Sequence, residues 1–287
     1  MRTTRFLKRL TNLTPLLLAG ALAFACGASA HARQDAGRAV RPASDAASLL
    51  AALKAADSDP TPKEAQERDE AVEGLKRMGR AAVPALTEFL NTEKGSGRVY
   101  AAAALAGIDA SDARARQTLN DVARKGKGDE VIAAAVALAD LDPESDAAVP
   151  ALVKMASKSI ILPSTKNMLR QRGSAMALAL TAPGMRALTP LLSHWDSWVR
   201  QAAVFAFDER TETLAQASPA VRAAVADAVP ALVKAIADKD EIVRGMSAES
   251  LQQLGAGAVP ELKRAAAGDD KKLAAAAVEL LKQLGRS

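Results

Sequence analysis

One heptapeptide constrains this chain more than any other feature: Ala148-Val149-Pro150-Ala151-Leu152-Val153-Lys154 recurs unchanged as Ala228-Val229-Pro230-Ala231-Leu232-Val233-Lys234, eighty residues later. Ala187-Leu188-Thr189-Pro190-Leu191-Leu192 lies midway, so the underlying step there is forty. Shorter copies stand at Ala82-Val83-Pro84-Ala85-Leu86 and Ala258-Val259-Pro260-Glu261-Leu262. The interval from Pro84 to Pro150 leaves room for two units, and the stretch from Leu119 to Ala123 supplies a helix of the unmarked one. A period of roughly 30 to 45 residues is that of stacked helical repeats, in which each unit buries its apolar face only against its neighbours.

The spacing inside a unit is helical. Val229, Leu232, Val233 and Ile236 fall at i, i+3, i+4 and i+7, and Val243, Met246, Leu251 and Leu254 repeat the stripe. The last helix does so with Leu273, Ala277, Leu280, Leu281 and Leu284, its charged residues lying off the stripe as a cap would have them. Gly79, Gly255 and Gly285 close helices, and Pro84 and Pro260 follow five residues later, where a first-turn proline gives up a donor that had no partner. Asp196-Ser197-Trp198-Val199-Arg200 and Asp240-Glu241-Ile242-Val243-Arg244 mark the turn inside a unit: the aspartate caps the second helix, and the arginine four residues on is placed to pair with it. Alanine runs such as Ala101 to Ala104 let helices approach closely and favour helix throughout.

These residues resemble the HEAT-repeat (armadillo-like) α-solenoid family, whose bacterial members open a first helix with Ala-Val-Pro-Ala-Leu and a second with Asp-x-x-Val-Arg. The resemblance covers residues 46–286 and is strongest in the units holding Pro84, Pro150, Pro190, Pro230 and Pro260. It implies an all-α, right-handed superhelical solenoid of about seven antiparallel helix pairs, with second helices lining the concave side. Residues 46–287 are assigned to it and residues 33–45 to a flexible linker.

The N-terminus reads as an export signal. Arg2, Arg5, Lys8 and Arg9 precede an apolar stretch from Leu16 to Ala25, then small residues around Ala30-His31-Ala32. Cleavage after Ala32, with Ala30 the other candidate, makes residues 1–32 a cleaved signal peptide and the chain periplasmic or secreted. The apolar stretch is too short to span a bilayer of roughly 30 Å as a helix. Cys26, the single cysteine, leaves with that peptide. The alternative is that it is lipidated, since Leu22-Ala23-Phe24-Ala25-Cys26-Gly27 resembles a lipoprotein processing box, though Phe24 and the displaced Leu22 depart from it. The formal charge of +5 includes the four basic residues of this segment, so the remainder is close to neutral. That argues against nucleic acid, whose phosphates call for a strong basic field.

Catalytic inventory is thin: beyond the signal there is one histidine, His194, and one tyrosine, Tyr100. No phosphate loop, serine elbow or metal-ligand spacing is present, so no cofactor and no enzymatic role are expected. HEAT-like enzymes exist, among them bilin lyases and an iron-dependent hydroxylase with paired His-Glu motifs, and those pairs are absent here; a lyase-like enzyme or enzyme subunit is the runner-up. Alkylpurine DNA glycosylases share the scaffold and give a further, nucleic-acid alternative.

The informative departure from the repeat is residues 147–195, which hold Lys154, Lys158, Lys166, Arg170, Arg172 and Arg186 and no acid, whereas residues 44–75 carry eight acids. Lys166, Arg170 and Arg172, with His194, Trp195 and Trp198, are therefore candidates for a patch that binds an acidic segment of a partner protein or peptide, arginine and tryptophan being the residue types that dominate interface energy. In the competing reading the basic side chains cover a solvent face, His194 is a turn residue, and Trp198 fills the core while Trp195 lies off the stripe.

Overall fold

Helices in this chain start at a short side-chain acceptor or a proline and stop at a glycine or a turn, and that punctuation sets the architecture. The computed structural model describes residues 42–54, 62–159 and 164–285. The expected signal peptide, Cys26 and most of the expected linker lie outside the described residues. Two compact units result, one ending at Ile108 and the other beginning at Asp109.

In the first unit α1 (Pro42–Lys54) packs on α2 (Pro62–Met78), α3 (Val83–Thr92) packs on α4 (Gly97–Ile108), and α4 also rests on α1 and α2. Leu53, Leu75, Leu86 and Leu105 are fully buried, and so are Ala101, Ala102 and Ala104, which lets α4 sit close to its neighbours. Each such leucine contributes about 2 kcal/mol of transfer free energy. Where α2 meets α4, the buried Arg68 donates from Nη1 to the Tyr100 hydroxyl at 2.8 Å and lies over its ring, 4.1 Å from the centroid. Asp69 pairs with Arg68 at 3.2 Å, and burial still pushes its carboxyl above the ordinary aspartate value.

The second unit contains α5 (Ala113–Lys125), α6 (Asp129–Leu141), α7 (Val149–Ala156), α8 (Thr165–Leu178), α9 (Ala182–Leu188), α10 (Ser197–Glu212), α11 (Pro219–Ala235), α12 (Glu241–Leu254), α13 (Val259–Ala266) and α14 (Lys271–Gln283). Successive helices pack as pairs: α5 on α6, α7 on α8, α11 on α12 and α13 on α14. α9 is prolonged by a 3-10 turn, Thr189–Ser193, through which it meets α10. The second helices stand side by side, α6 against α8, α8 against α10, and α10 against α12. The unmarked copy is α5, with Leu119 and Ala123 fully buried, so the described residues form an all-α solenoid of helix pairs.

Gly79, Gly255 and Gly285 take φ of 58°, 55° and 66°, the left-handed conformation that closes a helix and that other residues adopt at a cost. Pro84, Pro150 and Pro260 occupy first turns. Two repeat marks behave differently. Pro190 sits in the 3-10 turn that ends a first helix, and Pro230 lies inside α11. Ser218 explains the second case: its hydroxyl accepts the Val221 N–H at 3.2 Å, starting the helix well upstream with Pro219 in its first turn. The helix then runs through Pro230 with one backbone bond fewer. Identical heptapeptides thus begin a helix at Ala148 and continue one at Ala228.

Candidate functional site

Two turns of related sequence, 193–200 and 237–244, deliver side chains to one end of α10 and α12. In the first, Asp196 caps α10 by accepting the Trp198 N–H at 2.9 Å, and His194 accepts the Asp196 N–H on Nδ1 at 3.2 Å. In the second, Asp240 caps α12 by accepting from Ile242 and Val243 at 3.0 and 3.1 Å, and Asp238 accepts the Asp240 N–H at 2.8 Å. His194 and Asp238 therefore hold the same place in the turn.

The caps form as expected, but the arginines do not pair with the capping aspartates. Arg244 donates to the carbonyls of Asp238 and Lys239 at 2.8 and 3.0 Å. Buried Arg200 donates from Nη1 to the carbonyls of His194 and Trp195 at 2.8 and 3.1 Å, and from Nη2 to Asp238 of the next turn at 2.9 Å. Its Nε is 2.9 Å from the other Asp238 oxygen but off the hydrogen-bonding axis, so that approach is ionic contact rather than a second bond. A capping carboxylate is committed to helix N–H groups, and the long guanidinium arm reaches past it to the turn carbonyls and the following repeat.

Arg172 lies two turns into α8, eight residues after its capping Ser164, whereas Arg200 and Arg244 follow their caps by four. It makes no ion pair among the described residues. Its guanidinium lies instead over the Phe205 ring of α10, 4.0 Å from the centroid. The side chain is exposed overall, yet the face on the ring is desolvated, which lowers its pKa against the opposing pull of Glu209. Arg170 donates from Nε to Asp129 of α6 at 2.9 Å and so ties α8 to its other neighbour. Lys166 is exposed in the first turn of α8.

Trp195 is 75% exposed at the tip of the turn, its ring 5.4 Å from that of His194. Trp198 is 37% exposed, and Val199 takes the core position instead, so the core-filling alternative for Trp198 is not what the fold adopts. Leu169 of α8 and Ile242 of α12 are likewise exposed. Lys166, His194, Trp195 and Trp198 thus stand at one end of neighbouring helices, with His194 a turn acceptor; Arg170, further into α8, is bound by Asp129, and Arg172 lies further along still, over Phe205 and near Glu209. Cys26 lies outside the described residues.

The opposite end of the same helices is acidic, which the search for basic segments passed over. Asp208 accepts weakly from Ser250 and Gln253 of α12, both at 3.3 Å, and Thr211 donates to the Gln253 carbonyl oxygen. Burial, reinforced by Glu249, pushes Asp208 up to about 6, and burial also raises Glu209. The signal was available as Asp208-Glu209-Arg210-Thr211-Glu212 with Glu249 one repeat on. Among the described residues no group of three or more histidine, cysteine or acidic side chains is placed to hold a metal ion, and no helix is long and apolar enough to cross a membrane.

Residues 185–282 match the family model for HEAT repeats. That match takes in about a third of the chain and makes this segment similar to HEAT repeats, and scaffolds of that kind generally mediate protein interactions without catalysis. No curated protein matches the chain. Among solved structures it is similar to the crystal structure of an engineered protein, with 21% identity, 84% of this chain and 96% of that one covered, and a TM-score of 0.34.

Proposed function

We propose that this chain is an exported scaffold, periplasmic or secreted, that binds an acidic segment of a partner protein and carries out no chemistry of its own. The observation that carries the reading is the pair of tryptophans at the start of α10, one of them 75% exposed, in a chain with no others. A large aromatic held in solvent by a capped turn is unfavourable in the free protein and ready to be buried by a partner. Lys166 and Arg172 supply positive charge beside it, with Arg170 bridging to α6. His194 serves by shaping the turn. Export follows from the basic and apolar N-terminal pattern; Cys26 is removed with it, or is the lipid anchor if that box is used.

Crosslinked capture from an envelope extract tests this, with the full chain compared with a Lys166→Glu, Arg172→Glu variant of equal helicity. A partner captured by the first and lost by the second is the expected result. Equal capture by both would overturn the basic patch, and no capture would overturn the scaffold reading.

A further inference from the structure

Contacts between α8, α10 and α12 fix how they are aligned along their axes. Arg172 stacks on Phe205, and Ser250 meets Asp208, so Ile242 stands about two residues and Leu169 about one turn from the level of Trp198, while Glu249 stands level with Asp208. One end of this three-helix ridge therefore carries three exposed large apolar side chains. The other carries Asp208, Glu209, Glu212 and Glu249, none of which forms an ion pair among the described residues. Ten residues separate Trp198 from Asp208, about 15 Å at the rise of an α-helix.

We propose that this ridge takes its partner segment in one orientation: apolar side chains over Leu169, Trp198 and Ile242, and lysine or arginine side chains about 15 Å away over Glu209, Glu212 and Glu249. The inference rests on the scaffold reading above and deepens it. The acidic residues of the segment then fall at the Lys166 end, so its charge runs from negative to positive along the ridge. Charge complementarity argues for a cationic group at the acidic end. Asp208 accepts from Ser250 and Gln253, and Glu209 lies near enough to Arg172 to be felt electrostatically, but Arg172 stacks on Phe205 and Arg210 donates to the Ala179 carbonyl at 2.9 Å, so none of the four carboxylates is neutralised by an ion pair among the described residues. A helical segment bridges the two ends with about ten residues, and an extended one with about five. Orientation is thereby specified by charge and affinity by the apolar end, the usual division of labour at interfaces.

The test uses three synthetic helical probes without tryptophan: leucines at one end and lysines ten residues on, the same with glutamates for the lysines, and the first with the lysines moved to within four residues of the leucines. Binding to the full chain is followed by anisotropy at low ionic strength. The first probe is expected to bind about tenfold more tightly than either other, the gain of two or three exposed ion pairs. Glu209→Gln, Glu212→Gln and Glu249→Gln together should remove that preference without loss of helicity. Equal binding of the three probes, or a preference that survives the triple variant, overturns the proposal even if partner capture depends on Lys166 and Arg172. Capture that does not depend on Lys166 and Arg172 sinks only the acidic-segment reading. Self-association of the free chain abolished by Trp198→Ser would identify a second copy as the occupant and also overturn it.

Discussion

The turns at 193–200 and 237–244 share a capping aspartate, a buried valine and an arginine, and they differ in what stands two residues before the cap and in the two tryptophans of the first. Asp238 accepts its turn's N–H and also receives Arg200 from the preceding repeat, and its carbonyl accepts Arg244 and, at 3.1 Å, Lys272. His194 accepts the turn's N–H and lies beside the exposed Trp195 ring. Where the aspartate is present, two repeats are stapled and the arginine is buried. Where histidine stands in its place, Trp195 and Trp198 replace Lys239 and Ile242 and the turn presents aromatic surface. A few substitutions in a repeated frame thus separate a structural junction from a surface available for binding.

The largest expected effect distinguishes the two arginines. Arg200→Ala empties a buried arginine site and strands a half-buried carboxylate and two carbonyls, and should cost about 2 to 3 kcal/mol, whereas Arg244→Ala, half-buried and bound only to carbonyls, should cost about 1 kcal/mol. Urea unfolding of both variants checks this, and equal losses would break the comparison. Next in size is Asp208, at the far end of α10. Its folded pKa of about 6 lies above the ordinary 3.8, so the stability this group contributes is present below the lower value and is lost as pH rises through the higher one. Asp208→Asn should therefore stabilise the protein at pH 7 by about 1 to 2 kcal/mol after discounting for its partial exposure, with the gain fading below about pH 4. Thermal unfolding across that range reads it directly.

What the sequence made legible was local. Glycines with positive φ, first-turn prolines and capping aspartates act on the backbone within a few residues, so the helix pairs and the unmarked copy at α5 could be placed from the pattern alone. The partners of Arg200 and Arg170 could not, because Asp238 and Asp129 lie about forty residues away and the spacing of a repeat does not say which neighbour a long side chain reaches. Pro230 shows the same limit, since Ser218 decides its role from outside the repeated heptapeptide. The acidic end of the ridge was visible as residues but had no meaning until α10 and α12 were aligned. The competing reading that put Trp198 in the core fails because Val199, one residue on, takes that place.

Tryptophan emission tests the central claim most directly, because Trp195 and Trp198 are the only tryptophans and both stand at the proposed surface. The full chain is titrated with the tryptophan-free leucine-lysine probe while emission wavelength and acrylamide quenching are followed. A solvent-like emission that shifts to the blue and becomes protected from quencher as the probe binds is the result expected. Probe bound by anisotropy with emission and quenching unchanged would place binding elsewhere and contradict the account.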